Sequence, residues 1–86
     1  MSASPQTSIK VTVKFLGLAR KAGPGPAPDK GVVLDLPEGI LVNQLLARFG
    51  LTTHRNIIMV GKDKASWDTV IKDGDTVQIV GPPGGG

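Results

Sequence analysis

The sequence predicts an α+β fold, in which one main helix packs on one face of a mixed sheet of about four to five strands. Three observations support this class. Apolar residues alternate with polar ones near the start of the chain, a helical spacing of apolar residues occurs in the middle, and glycine or proline separates the segments. At 86 residues, the chain has the size of one domain with one core.

The first two strands are predicted to form a hairpin. Apolar and polar residues alternate from residue 9 to residue 15, which is typical of a strand with one buried face, and Gly17 ends the pattern. Residues 1–8 are mostly small and polar, so we expect a disordered segment there. Residues 23–30 are rich in proline and glycine and are predicted to be a loop at the tip of the hairpin. The second strand covers residues 32–36.

The helix follows a turn at residues 37–39. Its apolar face has the i, i+3, i+4, i+7 spacing of Val42, Leu45, Leu46 and Phe49. Gly50 can supply the left-handed conformation that ends many helices. Leu41 stands where Ser, Thr or Asp would cap the helix, and Asn43 or the turn at Gly39 is expected to compensate in part.

The second half of the chain predicts shorter elements. Residues 57–60 are continuously apolar, which indicates a strand covered on both faces. Residues 61–64 are predicted to be a turn, residues 70–71 a short strand, and residues 72–75 a further turn. Trp67 is expected in the core or as a partial cover for the helix. A right-handed crossover through the helix would place the last strand inside the sheet.

The last strand runs directly into a tail of prolines and glycines. We predict a folded domain over residues 9–80 and a flexible tail over residues 81–86. Pro82 and Pro83 are expected to hold the base of the tail extended and away from the domain. The terminal glycines have no Cβ, so their backbone can enter a narrow channel, and we expect the α-carboxyl group of Gly86 to be the functional group. The alternative is a frayed terminus or a cloning scar.

Composition excludes several functions. The chain has no cysteine and one histidine, so neither a thiol nucleophile, a zinc–thiolate site nor a histidine cluster can form. No apolar run is long enough for a membrane span and no signal peptide is evident, so a soluble cytoplasmic protein is expected. The net charge of +3 is typical of proteins that bind nucleic acid or an acidic protein partner. Nucleic acid is disfavoured, because two Phe, one Trp and no Tyr provide few platforms for stacking bases, and the lysines and arginines are scattered along the sequence.

Four stretches, in this order, resemble the β-grasp sulfur carriers and ubiquitin-like proteins. They are FLGLARKAG at residues 15–23, LPEG at 36–39 with the helix after it, IKDGDTV at 71–77, and PPGGG at 82–86. The groups most similar are the small subunit of molybdopterin synthase, the thiamine sulfur carrier and the Urm1-type modifier. The chain departs from them at Leu41, where threonine is usual, in the short link at residues 51–55, and in its basic charge.

The resemblance implies a ubiquitin-like carrier and not an enzyme. An E1-like enzyme would use ATP and magnesium to adenylate Gly86, and sulfur would then form a thiocarboxylate for molybdopterin, thiamine or tRNA thiolation. The chain itself would bind no cofactor or metal. The alternatives are a ubiquitin-like modifier conjugated through Gly86 to lysines of target proteins after E1-type activation, or a β-grasp interaction domain with an incidental tail.

The candidate site residues fall into three groups. Activation or conjugation is assigned to Gly85 and Gly86. Entry into the partner's channel is assigned to Gly84, Pro83, Pro82 and Gly81. Docking on the partner is assigned to Val80, Gln78 and Arg20.

Overall fold

The computed structural model describes residues 8–83. Within them, five strands form one mixed sheet in the order β2-β1-β5-β3-β4: β1 (Ser8–Leu16), β2 (Val32–Pro37), β3 (Ile57–Val60), β4 (Asp63–Lys64) and β5 (Thr76–Val80). The α-helix α1 (Val42–Ala47) follows β2, and two 3-10 helices, Gly17–Ala22 and Pro28–Lys30, connect β1 to β2. The α+β class is therefore confirmed. The expected disorder of residues 1–7 lies outside the described residues, but Ser8 is already part of β1.

The topology of the sheet follows from the two strands that pair with β1. β1 pairs antiparallel with β2, with Val13 opposite Val32, and parallel with β5, with Leu16 opposite Val80. The predicted hairpin and the inclusion of the C-terminal strand inside the sheet are confirmed. β5 also pairs antiparallel with β3. The chain therefore leaves the sheet from a strand that has neighbours on both sides.

A single apolar core joins α1 to one face of the sheet. The rings of Phe15 and Phe49 meet edge to face at 5.0 Å between centroids. Each fully buried side chain of this size contributes about 1.5–3 kcal/mol of burial free energy, so the core carries the stability of a chain without disulfides. The buried members are Ile9, Val11, Val13, Phe15, Ala19, Leu36, Ile40, Val42, Leu45, Leu46, Ile58, Ile71, Val77 and Ile79.

Backbone carbonyls from a distant segment cap the N-terminus of α1. The N–H groups of Val42 and Asn43 donate to the carbonyls of Thr69 and Trp67 at 3.0 and 2.9 Å. The N–H of Leu41 donates to Oε1 of Gln44 at 2.9 Å, which is one half of a capping box. The expectation that Asn43 or the Gly39 turn compensates for Leu41 is therefore wrong, because the donors find these other acceptors.

The C-terminal end of α1 follows the prediction. Gly50 has φ of 71°, in the left-handed region that favours glycine. Its N–H donates to the carbonyl of Ala47 at 3.2 Å, and the N–H of Leu51 donates to the carbonyl of Leu46 at 3.0 Å. These two bonds form a Schellman motif, which brings Leu51 back against the core.

Three predictions for the second half of the chain are wrong. β3 is covered on one face only, because Ile58 points into the core while Ile57 is 52% exposed on the opposite face. The turn predicted at residues 61–64 is shorter, since Asp63 and Lys64 pair with β3 as β4. The short strand predicted at residues 70–71 is an isolated bridge between Leu41 and Val70.

Trp67 lies outside the core, and the hairpin connection differs from expectation. Trp67 is 57% exposed, and its carbonyl accepts the hydrogen bond from the N–H of Asn43 in α1. The connection from β1 to β2 is not an irregular loop throughout, because Pro28 begins a 3-10 helix and is buried. A Cβ at Gly23 would lie 2.8 Å from the ring of Phe15, so the connection folds back onto the core.

Candidate functional site

The site begins where β5 ends. Val80 is the last residue of β5 and lies between Leu16 of β1 and Ile57 of β3. The next N–H, from Gly81, donates to the carbonyl of Leu16 at 2.9 Å, and the carbonyl of Pro82 accepts from the N–H of Leu18 at 2.8 Å. These two bonds extend the parallel pairing of β1 and β5 beyond both strands. The chain is thus attached to the domain through Pro82.

Two glycines make this close approach possible. Gly17 has φ of 62°, and a Cβ on it would lie 2.6 Å from the carbonyl oxygen of Gly81 and 2.7 Å from that of Pro82. A Cβ on Gly81 would lie 2.7 Å from the backbone nitrogen of Ala19. Neither position has room for a side chain unless the backbone shifts. We call Gly17, Leu18, Gly81 and Pro82 the glycine clasp, together with the hydrogen bonds from Gly81 to Leu16 and from Leu18 to Pro82.

The clasp changes the predicted boundary of the tail. The expectation that Pro82 is held away from the domain is wrong, because its carbonyl accepts the hydrogen bond from Leu18. Both Pro82 and Pro83 are exposed, but Gly81 is only half-buried against the turn after β1. The tail proper therefore begins no earlier than Pro83. The predictions for Gly84, Gly85 and Gly86 lie outside the described residues.

An apolar row lies beside the clasp on the face of the sheet opposite the core. We call this face the outer face. The register places Leu16, Val80 and Ile57 side by side on it, directly before the exit of the tail. The neighbouring row holds Lys14, Gln78 and Met59. Contiguous apolar side chains with a polar border are typical of a surface that binds another protein.

The structure brings together the three residues predicted to dock on a partner. Val80 and Gln78 are partly exposed on the outer face, as the alternation in the last strand predicts. Arg20 is exposed in the 3-10 helix that directly follows the clasp. Their role in docking stays a prediction.

The sequence did not identify Gly17, Leu18, Leu16 or Ile57 as part of the site. The local pattern indicates only that Gly17 ends a strand, and nothing in it indicates the contact with Gly81. Ile57 was hidden in a continuous apolar run. The signal that could have found Ile57 is the alternation of apolar and polar residues in β5. That alternation places Val80 on the outer face, and a residue paired with Val80 lies on the same face of the sheet.

Charged side chains of the described residues form few close contacts with one another. No group of three possible metal ligands occurs in residues 8–83. Over the same range the single ion pair joins Lys10 Nζ to Asp35 at 2.9 Å, near the end of the sheet opposite the clasp. The hydrogen bond to Asp35 raises the pKa of Lys10 above its ordinary value. Both side chains are exposed, so the pair adds little to stability.

The family model for the ThiS family matches residues 13–86. That span holds nearly all of the sheet, α1, the clasp and the tail. The chain belongs to the ThiS family. A search of curated protein sequences finds no match.

Membership of the ThiS family agrees with the architecture. ThiS-family proteins are β-grasp, ubiquitin-like sulfur carriers, small proteins that are not enzymes themselves. They interact with E1-like activating enzymes and with sulfur-acceptor enzymes. The resemblance of the sequence to this superfamily and the β-grasp class are thereby confirmed. No helix in residues 8–83 is long and apolar enough to cross a membrane.

In this ThiS-family chain, the site consists of two parts with different roles. The clasp fixes the point at which the tail leaves the domain. Its hydrogen bonds attach Gly81 and Pro82 to the segment after β1, and Pro83 is the first residue beyond them. The apolar row offers a surface beside that point. The clasp consists of backbone contacts at glycine, leucine and proline, and the apolar row consists of aliphatic side chains.

Proposed function

We propose that this chain is a sulfur carrier whose C-terminal carboxylate, at Gly86, is adenylated by an E1-like enzyme and converted to a thiocarboxylate. A carboxylate is a poor electrophile, whereas an acyl adenylate has AMP as a good leaving group. The terminal sulfur of a donor persulfide would displace AMP to give an acyl disulfide. A thiol would then cleave its S–S bond, which releases the thiocarboxylate and leaves a disulfide on the donor. ATP and magnesium would be bound by the activating enzyme, and we propose that the reaction takes place in the cytoplasm.

The observation that carries the proposal is the clasp at the base of the tail. A tail with no function needs no fixed exit, yet here two backbone hydrogen bonds and two glycines without space for a Cβ define it. The family match extends through residue 86 and so includes this tail. The clasp leaves residues 83–86 to enter a partner, three of which are glycines that pass through a narrow channel.

The length of this segment limits where the activating centre can lie. Four extended residues span at most about 14 Å, at roughly 3.3–3.6 Å each. The α-phosphate of ATP must therefore be bound within about that distance of the docked clasp. The acceptor of the sulfur would be an enzyme of molybdopterin synthesis, thiamine synthesis or tRNA thiolation, approached through the same short segment.

The test is the mass of the intact protein after incubation with its E1-like enzyme, ATP, magnesium and a sulfur donor. We expect exchange of one oxygen for sulfur in the C-terminal peptide. A variant that lacks Gly85 and Gly86 is the control and should stay unmodified while it unfolds at the same urea concentration. An unmodified terminus in the presence of an active enzyme would refute the proposal. Reducing-agent-resistant conjugates on lysines would instead identify a ubiquitin-like modifier.

A further inference from the structure

The charged side chains are divided unevenly between the two ends of the sheet. One end of the sheet is where Val80 lies between Leu16 and Ile57. Residues 14–31 and 48–58 approach this end, and we call these two ranges the tail end. They contain six cationic residues and one carboxylate, whereas the remaining charged residues are four cations and six carboxylates. The charged residues of the tail end are Lys14, Arg20, Lys21, Arg48, Arg55, Lys30 and Asp29.

Three of these cations surround the base of the tail. Arg55 lines a shallow apolar depression of about 170 Å³ together with Leu18 and Pro82 of the clasp. Arg20 and Lys21 belong to the 3-10 helix that contains Gly17 and Leu18. All three side chains are exposed. We call Arg20, Lys21 and Arg55 the cationic collar.

No carboxylate in the described part of the chain neutralises the collar. The one ion pair in residues 8–83 is Lys10 with Asp35, and it lies near the opposite end of the sheet. The acidic turn at Asp73 and Asp75 also lies there, since Asp73 accepts from the backbone N–H of Lys10. The molecule therefore has its positive end where the tail emerges and its more acidic end away from it.

We propose that the partner which receives the tail presents an acidic protein surface around the opening of its channel, and that the cationic collar binds this surface. The inference rests on the proposed function, because it assumes that the tail enters a partner. Docking through the tail brings the collar against the rim of the partner's channel. Cations placed there would weaken binding unless carboxylates of the partner lie opposite them. The uneven charge would also orient the positive end toward the partner before contact.

A protein surface fits these features better than nucleic acid. The collar lies beside the apolar row of Leu16, Val80 and Ile57, and an apolar centre with a charged border is the usual arrangement of a protein interface. Single-stranded nucleic acid is bound by several exposed aromatic rings. In residues 8–83, Phe15 is buried and Phe49 packs on it, which leaves Trp67 as the single exposed aromatic side chain.

Calorimetric titration of the E1-like adenylating enzyme without ATP tests the inference, because it measures docking and not reaction. We expect the affinity of the natural chain to fall about 10-fold or more between about 50 and about 300 mM KCl. The triple variant Arg20→Glu, Lys21→Glu and Arg55→Glu should bind at least about 10-fold more weakly at the lower salt concentration. Its urea unfolding should be nearly unchanged, since all three side chains are exposed.

The matched control reverses three exposed cations away from the tail end, Lys62→Glu, Lys64→Glu and Lys72→Glu. We expect it to change the affinity less than about 3-fold. Binding that is independent of salt, equal losses in both variants, or displacement of the enzyme by single-stranded DNA would overturn the inference. Salt-dependent docking without any adenylation of Gly86 would refute the proposed function alone, so the two failures are distinguishable.

Discussion

Gly17 and Gly81 lie close together at the point where the chain leaves the sheet, and neither has room for a Cβ. The requirement differs between them. Gly17 is constrained by its φ of 62° and by the carbonyl oxygens opposite it. Gly81 is constrained by atoms near its missing Cβ, of which the backbone nitrogen of Ala19 would be the nearest at 2.7 Å. The same residue type is therefore required for two different physical reasons, and substitutions can separate them.

We predict that Gly17→Ala destabilises the protein by about 2–4 kcal/mol. The left-handed φ alone costs about 1–2 kcal/mol for alanine, and the contact of the new Cβ with the Gly81 carbonyl adds to it. Urea unfolding measures the loss. The matched control is Gly61→Ala, because Gly61 has the same φ of 62° and nothing within 4 Å of its missing Cβ. Equal losses in the two variants would show that the clasp contributes no stability.

At the scale of elements, local sequence patterns predict well which face of a strand is buried, but they predict poorly which other segments that strand contacts. The alternation in β1 identified its buried face, because a period of two is visible within seven or eight residues. The run at residues 57–60 carries no such period, so the exposure of Ile57 became visible only through its pairing with Val80. The prediction that Val80 and Gln78 lie on the outer face is correct for the same reason, because apolar and polar residues also alternate in β5.

Contacts between distant segments could not be predicted in the same way. The carbonyls of Trp67 and Thr69 cap α1, although they lie more than 20 residues from its first turn. The pattern at Leu41 indicated a missing cap but not what replaced it. The clasp is a stronger case, since Leu18 lies more than 60 residues before Pro82 and the two are joined through backbone atoms, which leave no signature in side-chain chemistry.

We predict that Ile57→Ser weakens binding to the activating enzyme about 10-fold while it changes stability by less than about 1 kcal/mol. Ile57 is 52% exposed in the apolar row, so the substitution removes contact surface without opening a cavity in the core. Calorimetric titration and urea unfolding give the two values. Val33→Ser is the control, because Val33 is 64% exposed on the outer face but lies on the edge strand β2, opposite Thr12. A similar loss of affinity in both variants would contradict a localised docking row.

At the scale of the whole molecule, the domain sets the point from which the tail starts, and the length of the tail sets the distance that it can span. The central place of β5 fixes its end against β1 and β3, so the domain determines where the tail starts. In the proposed function, the number of residues after the clasp, 83–86, limits how far the carboxylate can extend. If the acyl end must meet ATP in a buried centre, the tail has a minimum length but no sharp maximum, because extra glycine residues cost little entropy.

This asymmetry gives a prediction about tail length. Deleting Gly84 keeps Gly85 and Gly86 at the end of the chain but shortens the reach by roughly 3.5 Å, which should lower the rate of adenylation about 100-fold. Inserting one glycine after Pro83 should lower it less than about 3-fold. Pyrophosphate release at saturating enzyme measures both rates, and titration without ATP should show unchanged docking, since the collar and the apolar row are intact. Equal effects of deletion and insertion would mean that the clasp does not set the reach of the tail.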